Sequence, residues 1–387
     1  MKKRIKDKLN TGTLFSLILL AVFATMLLKN FPLCRSLIGK AAVLSAKTVL
    51  VSADGKVKAE AESETAEKTE SVNSTIEETE STTKSPKEDS DKNSEEEENF
   101  TAEPEDIKKL IEEYSKNSDK DKKDGAIKEL TYTTSGATDS FGNIRLKNTN
   151  DTKVNIEKLL GRKADFSIKD KSQPAVLIFH THTTEAYQIL DRSFYSRGYV
   201  TRSEDSGRNM IRVGDEICSE LEKAGYNVIH DTTIYDRQYN GAYQRSRVTV
   251  EEYLKKYPSI QITLDIHRDA IQYNDGTKVK PVNEINGKKC AQMMIISGCQ
   301  EQGNGIADFP DWEYNLVFAL HLQNKLEEMF PGIMRPLYFC PRRYNMNVNH
   351  CSLLIEMGSD ANTLSEGVYA GKCLGKALAA LMDEYVT

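Results

Sequence analysis

From residue 173 to the C-terminus, short apolar runs of strand length alternate with longer segments whose apolar residues recur at helical spacing. Residues 175–179 (AVLIF), 226–229, 260–266, 292–297 and 352–355 read as strands. Between and after them, residues 209–223, 245–257, 312–330 and a stretch from Thr363 to about Glu384 read as helices. Gly225, Pro258 and Pro331-Gly332 punctuate their ends, and Thr363 with Glu366 has capping-box spacing. This alternation constrains the chain more than anything else in it. It predicts an α/β fold whose mostly parallel sheet is flanked by helices. In such sheets ligands sit at the carboxyl ends of strands, which says where chemistry should be sought.

The rest of the chain reads differently. Residues 2–8 carry Lys2, Lys3, Arg4, Lys6 and Lys8, and residues 9–28 form an uncharged run of 20 closed by Lys29. Roughly 20 apolar residues span a bilayer as a helix, so 1–8 is expected as a cytoplasmic basic tail and 9–30 as a transmembrane anchor. A cleaved signal with its cut near residues 41–46 is the less favoured alternative. Either way the remainder is expected outside the cytoplasm. Residues 56–98 hold 15 acidic and 6 basic side chains, net −9, against −6 for the whole chain. The acidity therefore belongs to this segment and describes no substrate. Residues 31–104, rich in Glu, Ser and Thr, cannot bury enough apolar surface to order, and are expected as a disordered linker. Residues 104–114 (PEDIKKLIEEY) read as a short amphipathic helix within a variable lead-in, 105–170, ahead of a catalytic domain at 171–387.

Two classes are excluded. No basic stripe with interleaved aromatics occurs, so a nucleic-acid partner is not expected. The seven cysteines show no CxxC spacing, which argues against a thiolate metal site and for buried apolar roles.

At the strand ends the polar residues cluster. The first predicted strand ends in HTHTTE (His180–Glu185), the third in DIHRD (Asp265–Asp269) and the last in IEMG (Ile355–Gly358). Three of the six histidines thus lie at strand ends with carboxylates beside them. Two His, one Glu and an open position make a common Zn2+ hydrolase set, and a further carboxylate is needed to take the proton from water. One histidine after a strand is ordinarily a hydrogen-bonded loop residue; the joint occurrence is what points to a site. His230 also follows a strand, whereas His321 falls mid-helix.

Four motifs in order, HTHTTEAY (residues 180–187), HDTT with AYQRSR (230–233, 242–247), DIHRDA (265–270) and LLIEMGSDAN (353–362), resemble the stage II sporulation protein P family. The resemblance covers about residues 170–387. It implies a fold similar to zinc N-acetylmuramoyl-L-alanine amidases and cleavage of the amide joining muramic acid to L-alanine, with peptide cross-links as a further target. It also implies action during engulfment in spore-forming bacteria, from the membrane facing the space between mother cell and forespore. Stage II sporulation proteins D and M are the implied partners, beside peptidoglycan itself.

Carried over by motif, His182 and His267 are implied as zinc ligands and Glu356 as the catalytic carboxylate. Glu185 is favoured as third ligand over Asp205, with His180 an alternative or supporting residue. Arg268 is expected either to bind a stem-peptide carboxylate or to form a salt bridge, and His230 to line the site. Met346 stands where the family pattern leads one to expect Gln. Two other readings remain at this point: a wall-binding module without turnover, and a zinc peptidase or deacetylase acting on another bond.

Overall fold

The computed structural model of the chain describes residues 100–116, 118, 122–196, 198–300 and 308–387. The expected basic tail and anchor, and nearly all of the expected linker, lie outside these residues. Among the described residues no helix is long and apolar enough to cross a membrane.

The lead-in contributes α1 (Glu105–Ser115), β1 (Gly125–Leu130), β2 (Asp139–Phe141), β3 (Ile144–Asn148) and α2 (Ile156–Leu160). The alternating region then gives β4 (Pro174–Phe179), β5 (Phe194–Tyr195), α3 (Met210–Lys223), β6 (Asn227–His230), α4 (Ala242–Lys256) and β7 (Ile262–Asp269). It continues through β8 (Lys278–Ile285), β9 (Lys288–Ala291), β10 (Met293–Gly298), α5 (Trp312–Met329), β11 (Leu337–Cys340), β12 (Cys351–Ser359) and α6 (Leu364–Asp383). One sheet of eight strands runs in the order β2-β3-β11-β10-β12-β7-β4-β6, and a second of four runs β5-β1-β8-β9.

The α/β expectation holds, but the expectation of a mostly parallel sheet is corrected: the sheets are mixed. β12, β7, β4 and β6 are parallel to one another, as β1 is to β8, whereas β10 runs antiparallel to β12, β2 to β3, β5 to β1 and β8 to β9. The cause is local. Asn286 and Gly287 both take positive φ (49° and 74°), the two-residue turn that closes a hairpin, so the chain returns directly after β8 without a crossover helix. Through β9 it enters the large sheet reversed, as β10. The dipeptide was a readable signal; hydrophobic periodicity carries no strand direction.

Alternation along each strand divides the apolar residues between two faces. Val176 and Ile178 of β4 join the main core, while Leu177 and Phe179 pack with Val250 of α4 and Ile260 on the other face. Val176, Leu177 and Ile178 are fully buried, each contributing about 1.5–3 kcal/mol of hydrophobic stabilisation. The main-core face carries α3, α5 and α6. A Cβ at Gly375 of α6 would lie 2.7 Å from the Ile217 carbonyl of α3, so glycine sets how closely these two helices approach. The capping box forms as expected: Glu366 N–H donates to Thr363 Oγ1 (3.2 Å) and Thr363 N–H to Glu366 Oε2 (3.0 Å). Such a cap contributes about 1 kcal/mol. The six described cysteines are buried and free, as the composition suggested.

Candidate functional site

The same alternation sorts the strand-end residues. On β7, Ile262, Leu264 and Ile266 belong to the main core, which turns Thr263, Asp265 and His267 to the opposite face. On β12, Leu353, Ile355 and Met357 do likewise, which turns Ser352, Leu354 and Glu356 with them. Thr263 Oγ1 donates to Ser352 Oγ across this strand pair at 2.8 Å. His267 and Glu356 are register partners, so the pairing of two central strands places these side chains side by side.

Beyond β4 the segment from His180 to Tyr187 is neither helix nor strand, and its threonines pin it. Thr181 N–H and Oγ1 donate to the Asp265 carboxylate (2.8 and 2.6 Å), and Thr184 N–H and Oγ1 to that of Asp236 (3.1 and 2.6 Å). This brings His182 over the β7 end. Its ring centroid lies 5.3 Å from that of His267, with the planes at 85°. Tyr239, about half exposed, stacks on the far face of this cluster with its centroid 4.5 Å from that of His182, and Tyr243 meets the His182 ring edge-on at 5.5 Å.

Glu185 is buried beside the two imidazoles. Its Oε2 accepts from Arg268 N–H at 3.1 Å and lies 3.7 Å from His267 Nδ1, while Oε1 lies 3.5 Å from Arg202 Nη2. Burial opposes its ionisation, but Arg268, reinforced by His267, His182 and Arg202, outweighs this and holds the carboxyl below its usual range. Glu356 goes the other way. Burial pushes its carboxyl well above the usual range, and the neighbouring Asp269 adds to the effect. Asp269 is itself paired with Arg335 Nη1 at 2.9 Å. Burial pushes His182 down to about 4. For His267 burial disfavours the charge, but Asp265 prevails and raises the imidazole to about 9.

Not every expected residue joins this group. His180 lies on the main-core side: its Nδ1–H donates to the Ile266 carbonyl (3.0 Å), and its Nε2 is 2.9 Å from His230 Nε2. His230 Nδ1 in turn lies 3.0 Å from Asp215 of α3. A Cβ at Gly214 would fall 2.4 Å from His230 Nε2, so the pair occupies space that only a glycine leaves open. Asp205 is exposed and accepts from Gly207 N–H (3.0 Å) in its own turn, away from the imidazoles. Arg268 is buried; its guanidinium donates to the carbonyls of Ala186 (3.1 Å), Thr201 (2.7 Å) and Asp269 (3.3 Å), and its Nη1 lies 4.0 Å from Glu185 Oε1. Met346 is buried with Ile296, Phe309, Cys340 and Leu354. His321, on α5, bonds the Arg162 carbonyl and takes no part.

Sequence reasoning missed Asp236, Arg202 and Tyr239. They come from loops without periodicity, and only the chain path brings them to His182.

Does the group suit a metal ion? Among the described residues no set of three or more His, Cys, Asp or Glu closes into a ready cage. The donor types fit nonetheless: two imidazoles and an ionised carboxylate are neighbours. His182 Nδ1 and His267 Nε2 are buried without hydrogen-bond partners, each with an aspartate oxygen near it, and Glu356 Oε2 is buried in the same state, the kind of polar deficit that a core does not tolerate idly; the second nitrogen of each ring is left as the donor a metal would use. His267 Nε2 is 2.8 Å from Asp265 Oδ1, a charge contact lacking hydrogen-bond alignment.

Fold and site together define an α/β protein with a His–His–Glu group and a separate high-pKa carboxylate at the ends of neighbouring strands. Residues 35–379 match the family Stage II sporulation protein P (SpoIIP), and the chain belongs to that family. Stage II sporulation protein P of Bacillus subtilis (strain 168) is 27% identical over 203 residues, covering 49% of this chain; the chain spans about half (47%) of that relative's length. Among solved structures, N-acetylmuramoyl-L-alanine amidase AmiC2 of Nostoc punctiforme matches at a TM-score of 0.33 and 11% identity, over 56% of this chain and 98% of that one. The CwlD amidase of Clostridioides difficile, solved with the GerS lipoprotein, matches at 0.33 and 14%, over 55% and 98%.

Proposed function

We propose that this protein is a peptidoglycan hydrolase of sporulation that cleaves the amide between N-acetylmuramic acid and L-alanine. The observation that carries the proposal is the split between two enclosed carboxyls around paired imidazoles. Glu185 is held ionised, as a ligand must be, and Glu356 is pushed upward, as a proton acceptor working near neutrality must be. In this reading His182, His267 and Glu185 hold Zn2+, which when bound supplies Lewis acidity to a carbonyl and to water. Glu356 takes the proton from the attacking water and passes it to the departing amine of L-alanine. Asp269, anchored by Arg335, keeps a negative charge near Glu356 and so favours its holding that proton. Arg268 and Asp265 fix the backbone and ring around it.

Sequence features lying almost wholly outside the described residues fit this role. An N-terminal anchor at 9–30 and an acidic linker at 31–104 would carry a catalytic domain on the outer side of the membrane, where stage II sporulation proteins D and M are the proposed partners.

The test is digestion of purified peptidoglycan by the full chain, with products read by mass spectrometry. Intact muramic acid and a free L-alanine terminus are expected. Products cut within the stem or deacetylated would replace the amidase reading with a peptidase or deacetylase. Binding without turnover, unchanged in Glu356→Ala, would leave a wall-binding module.

A further inference from the structure

Behind each imidazole of the proposed metal site stands a carboxylate, and the two approach through different ring atoms. The Asp236 carboxylate is fully enclosed, receives both Thr184 donors (3.1 and 2.6 Å) and pairs with Arg202. Its Oδ2 lies 3.9 Å from His182 Nδ1, a buried nitrogen with no hydrogen-bond partner. Asp265, held by Thr181, meets His267 from the other ring atom, with Oδ1 2.8 Å from Nε2. His267 Nδ1 instead lies toward Glu185, 3.7 Å from Oε2. On each ring the enclosed, unpartnered nitrogen is therefore the one nearest its aspartate: Nδ1 of His182 and Nε2 of His267. A metal-bound imidazole commonly donates its second N–H to such a carboxylate, which fixes the tautomer and the ring's orientation.

We propose that Asp236 and Asp265 are positioning residues that impose opposite tautomers, so that His182 presents Nε2 and His267 presents Nδ1 to one shared divalent cation. This rests on the metal reading above and adds to it which atoms face the ion and which carboxylates hold them there. It also gives the loop between β6 and α4 a task, since Asp236 is its contribution to the site.

The experiment uses the full chain with isotope-labelled histidine nitrogens, loaded with cadmium as an NMR-active stand-in for zinc. Scalar coupling to the metal is expected at His182 Nε2 and His267 Nδ1; coupling at His182 Nδ1 or His267 Nε2 overturns the proposal. In competition against a chromogenic chelator, Asp236→Asn should lower zinc affinity about ten- to a hundredfold, with partial recovery in Asp236→Glu. Wild-type affinity in Asp236→Asn overturns that residue's role. Should the variant fail to fold, the metal-free wild type decides the matter: a proton on His182 Nδ1 supports Asp236, and one on Nε2 overturns it. A chain that takes up neither metal defeats the zinc reading, and the same tautomer measurement then still decides for or against Asp236.

Discussion

Two pairs of histidines sit near the carboxyl ends of this sheet, and they are chemically opposite. On the main-core side His180 and His230 bond the Ile266 carbonyl and each other, His230 Nδ1 lies 3.0 Å from Asp215, and neither ring has an enclosed nitrogen left without a partner. On the other side His182 and His267 each keep an enclosed nitrogen without a hydrogen-bond partner, and Glu356 keeps an enclosed oxygen in the same state. A satisfied pair belongs to the architecture. An unsatisfied pair costs stability that the rest of the fold must offset, which is characteristic of rings whose final pairing, here with Asp236 and Asp265, is completed only when another molecule binds.

Substitution can test that contrast from its strongest expression downward. His267→Ala and Glu356→Ala should each reduce release of stem peptides by about two to four orders of magnitude, the range expected when a proton-transfer or charge-bearing group is removed. Wild-type-like digestion by either variant would erase the distinction between the pairs. Gly214→Ala should act on the satisfied pair alone. Its Cβ would fall 2.4 Å from His230 Nε2, and forcing it in should cost about 1–3 kcal/mol in chemical denaturation with turnover per folded molecule retained.

Glu356→Gln should sharpen the contrast by raising the stability of the metal-free protein, by about 1–3 kcal/mol, at the expense of activity. The pH dependence gives the sign. The folded carboxyl holds its proton above the ordinary value of 4.5, so its contribution is complete below that pH and is lost as pH rises toward the folded value. The glutamine variant should lack this loss. His182 slopes the other way: with its pKa lowered from 6.5 to about 4, stability is complete above 6.5 and falls as pH drops toward 4. Denaturation midpoints of wild type and Glu356→Gln measured between pH 4 and 9 would separate the two slopes, the variant keeping the loss between 6.5 and about 9 that belongs to His267. The smallest effect belongs to Asp215→Asn. That carboxylate is half exposed at the outer end of the satisfied pair, and the change should stay within about 1 kcal/mol with digestion unaffected.

Much of this contrast was legible before any coordinates. His267 and Glu356 lie on strands whose alternation fixes their face, and the Thr363–Glu366 cap announced its helix. His180 and His182 were not separable in the same way. Their strand ends at Phe179, and past that point a two-residue spacing no longer means a shared face. The third carboxylate was ambiguous for the same reason, since Glu185 and Asp205 both lie in irregular backbone. The lead-in strands β1, β2 and β3 stayed unread because they are short and polar, and their partners lie far away in sequence: β1 pairs with β8, and β3 with β11. Asp236 had no pattern to betray it.

Those distant partnerships have a practical side. A version of the protein begun at residue 171, where strand-helix alternation first becomes obvious, would strip β8 and β11 of neighbours they hold in parallel register. Two raw sheet borders would then face solvent, each a template for pairing with another molecule. Anyone trimming the chain for crystals or assays should expect sticky, self-associating material from that cut, and well-behaved protein only when the polar-looking lead-in is left in place.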